Sequence, residues 1–138
     1  MSDRAVSSMR RELLMLRPDR LPSAVRFIAF GFAVAVLLYL TLAPGEDLPS
    51  VNVWDKAEHA ISWLVLTAIG LAFWPNRPGR VSGFVLFLGA LIEVLQWALP
   101  FGRDGDVRDL VGDGVGILAA LAIWWLLRRL AARRPLPV

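Results

Sequence analysis

The hydrophobic residues of this chain form four long runs, separated by short polar segments rather than alternating with polar residues. The runs cover residues 24–43, 55–74, 81–99 and 109–127. Each is close to the roughly 20 residues that a helix needs to cross the hydrocarbon core of a bilayer. Continuous apolar runs of this length are typical of membrane spans, whereas a helix of a soluble core would be amphipathic. The pattern therefore predicts an all-α protein, a four-span transmembrane helical bundle with short connections.

The basic residues predict how the bundle is oriented. Of the 15 Lys and Arg residues, all but Lys56, Arg103 and Arg108 lie in the amino-terminal segment, the turn at 75–80 or the carboxy-terminal tail. Since cytoplasmic segments are enriched in Lys and Arg, both termini are expected in the cytoplasm. The predicted organisation is an Arg-rich tail or interfacial helix (1–23), a four-helix transmembrane domain (24–127) and a basic cytoplasmic tail (128–138).

Composition narrows the classes of site that the chain can contain. Hydrophobic residues make up 57% of it and the mean hydropathy is +0.56, in agreement with a membrane protein. Cysteine is absent, which excludes disulfides and thiolate sites, and a single histidine excludes sites that need two imidazoles from one chain. The pI of about 10.5 could suggest nucleic acid, but the arginines flank apolar runs, where membrane orientation explains them. No nucleic-acid partner is expected.

The ionisable residues inside the second, third and fourth runs lie near the ends predicted to be non-cytoplasmic. Asp55 and His59 are four residues apart and share a helix face. Glu93 and Gln96 share a face of the third run, and Glu93 lies about 10 Å below the helix end at Pro100. An ionised Glu facing lipid at that depth would cost a few kcal/mol, so Glu93 is expected to face inward. The fourth run adds a stripe of acidic and small residues: Asp109, Gly112, Asp113 and Gly116.

These residues and their neighbours predict a polar pocket open to the non-cytoplasmic face. Its lining comes from the starts of the second and fourth runs, the end of the third and the loop between the last two: Asp55, His59, Glu93, Gln96, Arg103, Asp106, Asp109 and Asp113. Lys56 and Arg103 would hold an anionic head group there. His59 could be a general base or metal ligand, or a structural lock bonded to Glu93 or Asp55. Glu93 could exchange a proton, or be a hydrogen-bond peg between helices. These alternatives stay open at the level of sequence.

The loop and the fourth run leave further alternatives open. Arg103 could clamp a phosphate or carboxylate in bidentate fashion, or form a salt bridge to Asp106 or Asp109. Gly112 and Gly116 would let either a neighbouring helix or a ligand chain approach closely. The aspartates at 106, 109 and 113, with Glu93, could hold Mg²⁺ or Ca²⁺, but their spacing matches no dedicated metal loop. No metal site or cofactor is therefore assigned, although a divalent cation stays open.

Four polar motifs follow one another over residues 53–120: Asp55-Lys56-x-x-His59, Glu93-x-x-Gln96, Gly102-Arg103-x-x-Asp106-x-x-Asp109 and Asp113-x-x-Gly116. In this order they resemble the VanZ-like family of small bacterial membrane proteins. Two positions depart from the family pattern. Asp113 stands where the family usually has Asn, which adds a negative charge, and Trp63 stands where it usually has Tyr, which removes a hydroxyl.

The resemblance implies a role in the bacterial cell envelope, because the family is named after a member linked to resistance to the lipoglycopeptide teicoplanin. We therefore expect a multi-pass protein of the cytoplasmic (inner) membrane whose pocket binds or handles an anionic envelope lipid, a lipid-linked intermediate or a lipoglycopeptide. One alternative is an envelope enzyme acting on a lipid-linked phosphate, with Glu93 and His59 as acid and base. Another is a structural membrane protein without chemistry. Enzymatic activity and homo-oligomer formation stay open.

Overall fold

The computed structural model describes residues 17–42, 55–98 and 107–133, and within these ranges the chain is all-helical. A short 3-10 helix, Pro18–Arg20, precedes four α-helices: α1 (Ser23–Leu42), α2 (Asp55–Phe73), α3 (Pro78–Ala98) and α4 (Val107–Ala132). The predicted all-α class is therefore confirmed. The amino-terminal stretch predicted as a tail or interfacial helix lies, up to residue 16, outside the described residues.

Three of the four α-helices are long and apolar enough to cross a membrane. These are α1, α3 and the part of α4 from Arg108 to Ala132. Within the residues searched, the apolar part of α2 is shorter, Ala57–Phe73. Length and composition thus identify three candidate spans.

Hydrogen bonds between helices show that helices consecutive in the chain alternate in direction. Arg26 near the start of α1 donates from Nη1 to the carbonyl oxygen of Phe73 at the end of α2, at 3.0 Å. Gln96 near the end of α3 donates from Nε2 to the carbonyl oxygen of Thr41 near the end of α1, at 2.8 Å. Helices α1 and α3 therefore end at the same end of the bundle, where α2 and α4 begin.

The two ends of the bundle differ in charge. The end at which α1 and α3 begin, called the basic end, carries eight described arginines: Arg17, Arg20, Arg26, Arg77, Arg80, Arg128, Arg129 and Arg133. The opposite end, called the acidic end, carries Glu58, His59, Glu93, Asp109 and Asp113, with Arg108 as its one described arginine. At the basic end, Arg128 donates to the carbonyl oxygen of Pro75 at 2.8 Å and so ties α4 to the turn between α2 and α3.

Helices α2 and α4 make the closest contact in the bundle, at Gly116. A Cβ atom at this position would collide with the carbonyl oxygen of Ala60 and lie 2.9 Å from the backbone nitrogen of Leu64. Only a residue without a side chain allows two helix backbones to approach this closely. The contact places α2 in the core, where Trp63 and Leu66 are buried.

Two helix boundaries differ from the apolar runs. Helix α3 begins at Pro78, three residues before its run, because proline fits the first helical position, where its missing N–H costs no hydrogen bond. Helix α4 continues five residues beyond its run, to Ala132. The arginines in that extension are good helix formers, and the Arg129 guanidinium lies 3.6 Å from the centre of the Trp125 ring.

Candidate functional site

The centre of the acidic end is a contact between α2 and α4. Nδ1 of His59 lies 2.9 Å from Oδ1 of Asp113, and the two side chains are 10% and 1% exposed. With Asp113 ionised, Nδ1 carries the hydrogen of this bond, because a carboxylate only accepts. The other ring nitrogen, Nε2, lies 4.0 Å from Oδ2 of Asp109, one turn earlier on α4. The imidazole is therefore held between two carboxylates.

Helix α3 adds Glu93 to this contact. One side-chain ligand atom from each of His59, Glu93 and Asp113 lies within 4.8 Å of the other two. Both carboxylate oxygens of Glu93 are buried. Three helices thus each contribute one ionisable side chain to the same buried point, which we call the His59–Glu93–Asp113 cluster.

Gly89 and Trp63 form the floor beneath this cluster. A Cβ atom at Gly89 of α3 would lie 2.7 Å from Oδ2 of Asp113 and 3.5 Å from Cζ2 of Trp63. The glycine therefore makes room for the Asp113 carboxylate, and the edge of the Trp63 ring lies beside it. The indole is 1% exposed, and its buried Nε1 faces the Asp113 carboxylate.

The remaining residues of the predicted pocket have different placements. Gln96 is buried, but its hydrogen bond to Thr41 joins α3 to α1. Asp55 and Lys56 begin α2, and their side chains lie outside the described part of the chain. Arg103 and Asp106 belong to the segment 99–106, which also lies outside the described part of the chain. The cluster therefore contains three of the predicted residues, with Asp109 beside it.

The glycine stripe of α4 separates into two environments. Gly116 is buried against the backbone of α2, so a neighbouring helix rather than a ligand chain occupies that surface. Gly112, one turn nearer the start of α4, is half-buried. The stripe thus sets the distance between α2 and α4.

An apolar cavity of about 540 Å³ runs between α1 and α2. On α2 it begins at Ile61 and Ser62, within one turn of His59, and continues to Phe73. On α1 it is lined by hydrophobic residues between Ala29 and Leu40. Such a groove along the helix pair fits a hydrocarbon chain, whose polar end would lie at the level of His59.

The charges at the acidic end determine which chemistry it suits. Glu93, Asp109 and Asp113 place three carboxyl groups around one imidazole. Carboxylates in a buried setting are costly unless they are paired, protonated or bound to a cation. The cluster can therefore attract a proton or a metal ion, and the His59–Asp113 hydrogen bond holds the ring in an orientation suited to a general base.

Comparison with known proteins does not place the chain in a family. No protein-family model, curated protein or solved structure matches it. The likeness to the VanZ-like family thus rests on the polar motifs, and a function has to be argued from the geometry of the acidic end.

Proposed function

We propose that the chain is a four-span protein of the bacterial inner membrane, of the VanZ-like type, that binds an anionic amphiphile of the cell envelope. The ligand class is a lipid-linked phosphate or a lipoglycopeptide. The observation that carries the proposal is the buried meeting of His59, Glu93 and Asp113 from three helices. A structural lock needs one hydrogen-bonded pair, whereas additional ionisable groups in a membrane bundle are costly and typical of functional sites.

The ligand would use two parts of the molecule. Its hydrocarbon chain would lie in the apolar cavity between α1 and α2, which begins beside His59. Its head group would lie at the acidic end, with Lys56 and Arg103 supplying positive charge. His59 and Glu93 would either exchange a proton with the head group or contact it directly.

Farnesyl phosphate tests this function, because it combines a prenyl chain with an anionic head group. In nanodiscs of neutral lipid, we expect saturable binding of farnesyl phosphate and much weaker binding of farnesol. His59→Ala and Glu93→Gln should each weaken binding about tenfold or more, since each removes a hydrogen bond that involves a charged group. The matched control is Glu58→Gln, an exposed carboxylate beside His59 on α2, which should bind as the unmodified protein does. Equal affinity for farnesol, or unchanged binding in both site variants, would contradict the proposal.

The second candidate is an envelope enzyme, and the His59–Asp113 hydrogen bond favours it. A carboxylate on Nδ1 orients an imidazole so that Nε2 can take a proton from water or substrate. Release of inorganic phosphate from farnesyl phosphate, lost in His59→Ala and kept in Glu58→Gln, would identify an enzyme. Binding without release would leave the protein a binding module.

The proposed topology has both termini in the cytoplasm, with α2 as the fourth span. Its 19 residues extend about 28 Å, close to the thickness of the hydrocarbon core. The arginines of the basic end favour the cytoplasmic side. Alkaline phosphatase fused after Val138 should therefore be inactive, and a green fluorescent protein fused there should fluoresce. An active phosphatase fusion would overturn this orientation.

A further inference from the structure

The His59–Glu93–Asp113 cluster has the composition of a metal site. It offers one imidazole nitrogen and two carboxylate groups, each from a different helix, with ligand atoms within 4.8 Å of one another. We infer that these three residues bind one divalent transition-metal ion of the Zn²⁺ class. This inference rests on the proposed function and deepens it, because the ion would supply positive charge for an anionic head group at an otherwise acidic end.

The distances within the cluster fit a shared ion. Zinc lies about 2.0–2.2 Å from imidazole nitrogen and carboxylate oxygen, so two ligand atoms of a tetrahedral ion are about 3.3–3.6 Å apart. Nδ1 of His59 and Oδ1 of Asp113 are 2.9 Å apart and share a hydrogen, so the ion would replace that hydrogen and move the two atoms apart by about 0.4–0.7 Å. The ligand atom of Glu93 lies within 4.8 Å of both and would move toward them to complete the set.

The second ring nitrogen of His59 has the neighbour that a metal-binding imidazole requires. Metal-bound histidines usually donate their other N–H to a carboxylate, which fixes the orientation of the ring. With the ion on Nδ1, the hydrogen lies on Nε2, which is 4.0 Å from Oδ2 of Asp109. That separation is an ion-pair distance rather than a hydrogen bond, so Asp109 would act on the ring through its charge.

The choice of ion follows from the donor atoms. An imidazole nitrogen favours zinc and its neighbours in the first transition row over Mg²⁺ and Ca²⁺, which prefer oxygen-only sites. Three protein ligands leave a fourth position of a tetrahedral ion open, as in catalytic zinc sites. That position would take a water or a phosphate oxygen.

Trp63 lies against one of the proposed ligands. Its buried indole N–H faces the Asp113 carboxylate, and its ring edge lies beside the same group. Groups that contact a metal-binding carboxylate in this way hold it in position. Trp63 would therefore orient Asp113 toward the ion. Gly89 keeps the same space clear of a side chain.

The test uses the full chain in nanodiscs of neutral lipid, stripped of metal with a chelator and dialysed. Isothermal titration with Zn²⁺ should give one ion per chain. Titration with Co²⁺ should give the intense visible absorption of a tetrahedral ion. His59→Ala, Glu93→Gln and Asp113→Asn should each weaken Zn²⁺ binding about tenfold or more, since even outer partners of metal ligands matter by that factor. Glu58→Gln should leave it unchanged.

Thermal unfolding measured without metal shows whether a variant that binds Zn²⁺ more weakly is still folded. Asp113→Asn also preserves the shape of the side chain that it replaces. The inference is overturned if the unmodified protein binds no stoichiometric Zn²⁺, if it prefers Mg²⁺, or if folded variants bind Zn²⁺ as it does. The Zn²⁺ titration contains no lipid phosphate, so a negative result would not contradict the binding of farnesyl phosphate. Zn²⁺ binding without farnesyl phosphate binding would in turn overturn only the proposed function.

Discussion

Replacing Gly116 by Ala is expected to lower the free energy of unfolding by about 2–3 kcal/mol, the upper part of the range for overpacked sites. The added methyl group would collide with the backbone carbonyl of Ala60, and a backbone atom cannot move aside as the end of a flexible side chain can. Helices α2 and α4 would have to separate. Reversible unfolding in mixed detergent micelles, followed by circular dichroism, measures the change.

Gly114 provides the matched control, two residues away on the same helix. A Cβ atom there would meet nothing within 4 Å. Since alanine favours a helix over glycine by up to about 1 kcal/mol, Gly114→Ala should be neutral or stabilising. If the two substitutions had equal effects, α2 and α4 would not be packed backbone to backbone at Gly116.

Hydropathy was enough to predict the helices, because the length of an apolar run depends on the membrane and not on neighbouring helices. It predicted four spans, and among the described residues three helices, α1, α3 and α4, are long and apolar enough to cross a bilayer. The fourth span, α2, stays a prediction. It was less accurate at helix ends. Pro78 is helical because proline fits the first helical position, and the segment after Leu127 is helical because it contains good helix formers. Hydropathy measures neither property.

Residue spacing predicted which end of the bundle would be polar but not which residues meet there. Glu93 and Gln96 are three apart and were expected to share a pocket, yet Gln96 binds the carbonyl oxygen of Thr41. The reason is rotation of each helix about its axis, which decides what a side chain faces and is set by packing with all its neighbours. Sequence spacing within one helix contains no such information.

The sequence indicates more about Trp63 than about Gly89. Trp63 follows His59 by four residues, so the spacing places it one turn deeper on the same face of α2. Gly89 lies inside an apolar run, and its role depends on Asp113 of another helix. The spacing shows only that Gly89 precedes Glu93 by four residues, one turn away.

The pairing of His59 with Asp113 is the contact on which both proposals depend, and a double-mutant cycle measures it directly. The free energy of unfolding would be determined without metal for the unmodified protein, His59→Ala, Asp113→Ala and the double variant. Each single change removes this hydrogen bond and leaves one of the two buried side chains in place, whereas the double change removes both side chains. The two effects should therefore not add.

We expect a coupling energy of about 1–3 kcal/mol between His59 and Asp113, as found for residues in direct contact. A control cycle pairs His59 with Val115, which lies on α4 and is 55% exposed, and should be additive within about 0.5 kcal/mol. If the cycle of His59 with Asp113 were additive within the same margin, the two side chains would not meet and the site at the acidic end would lose its basis.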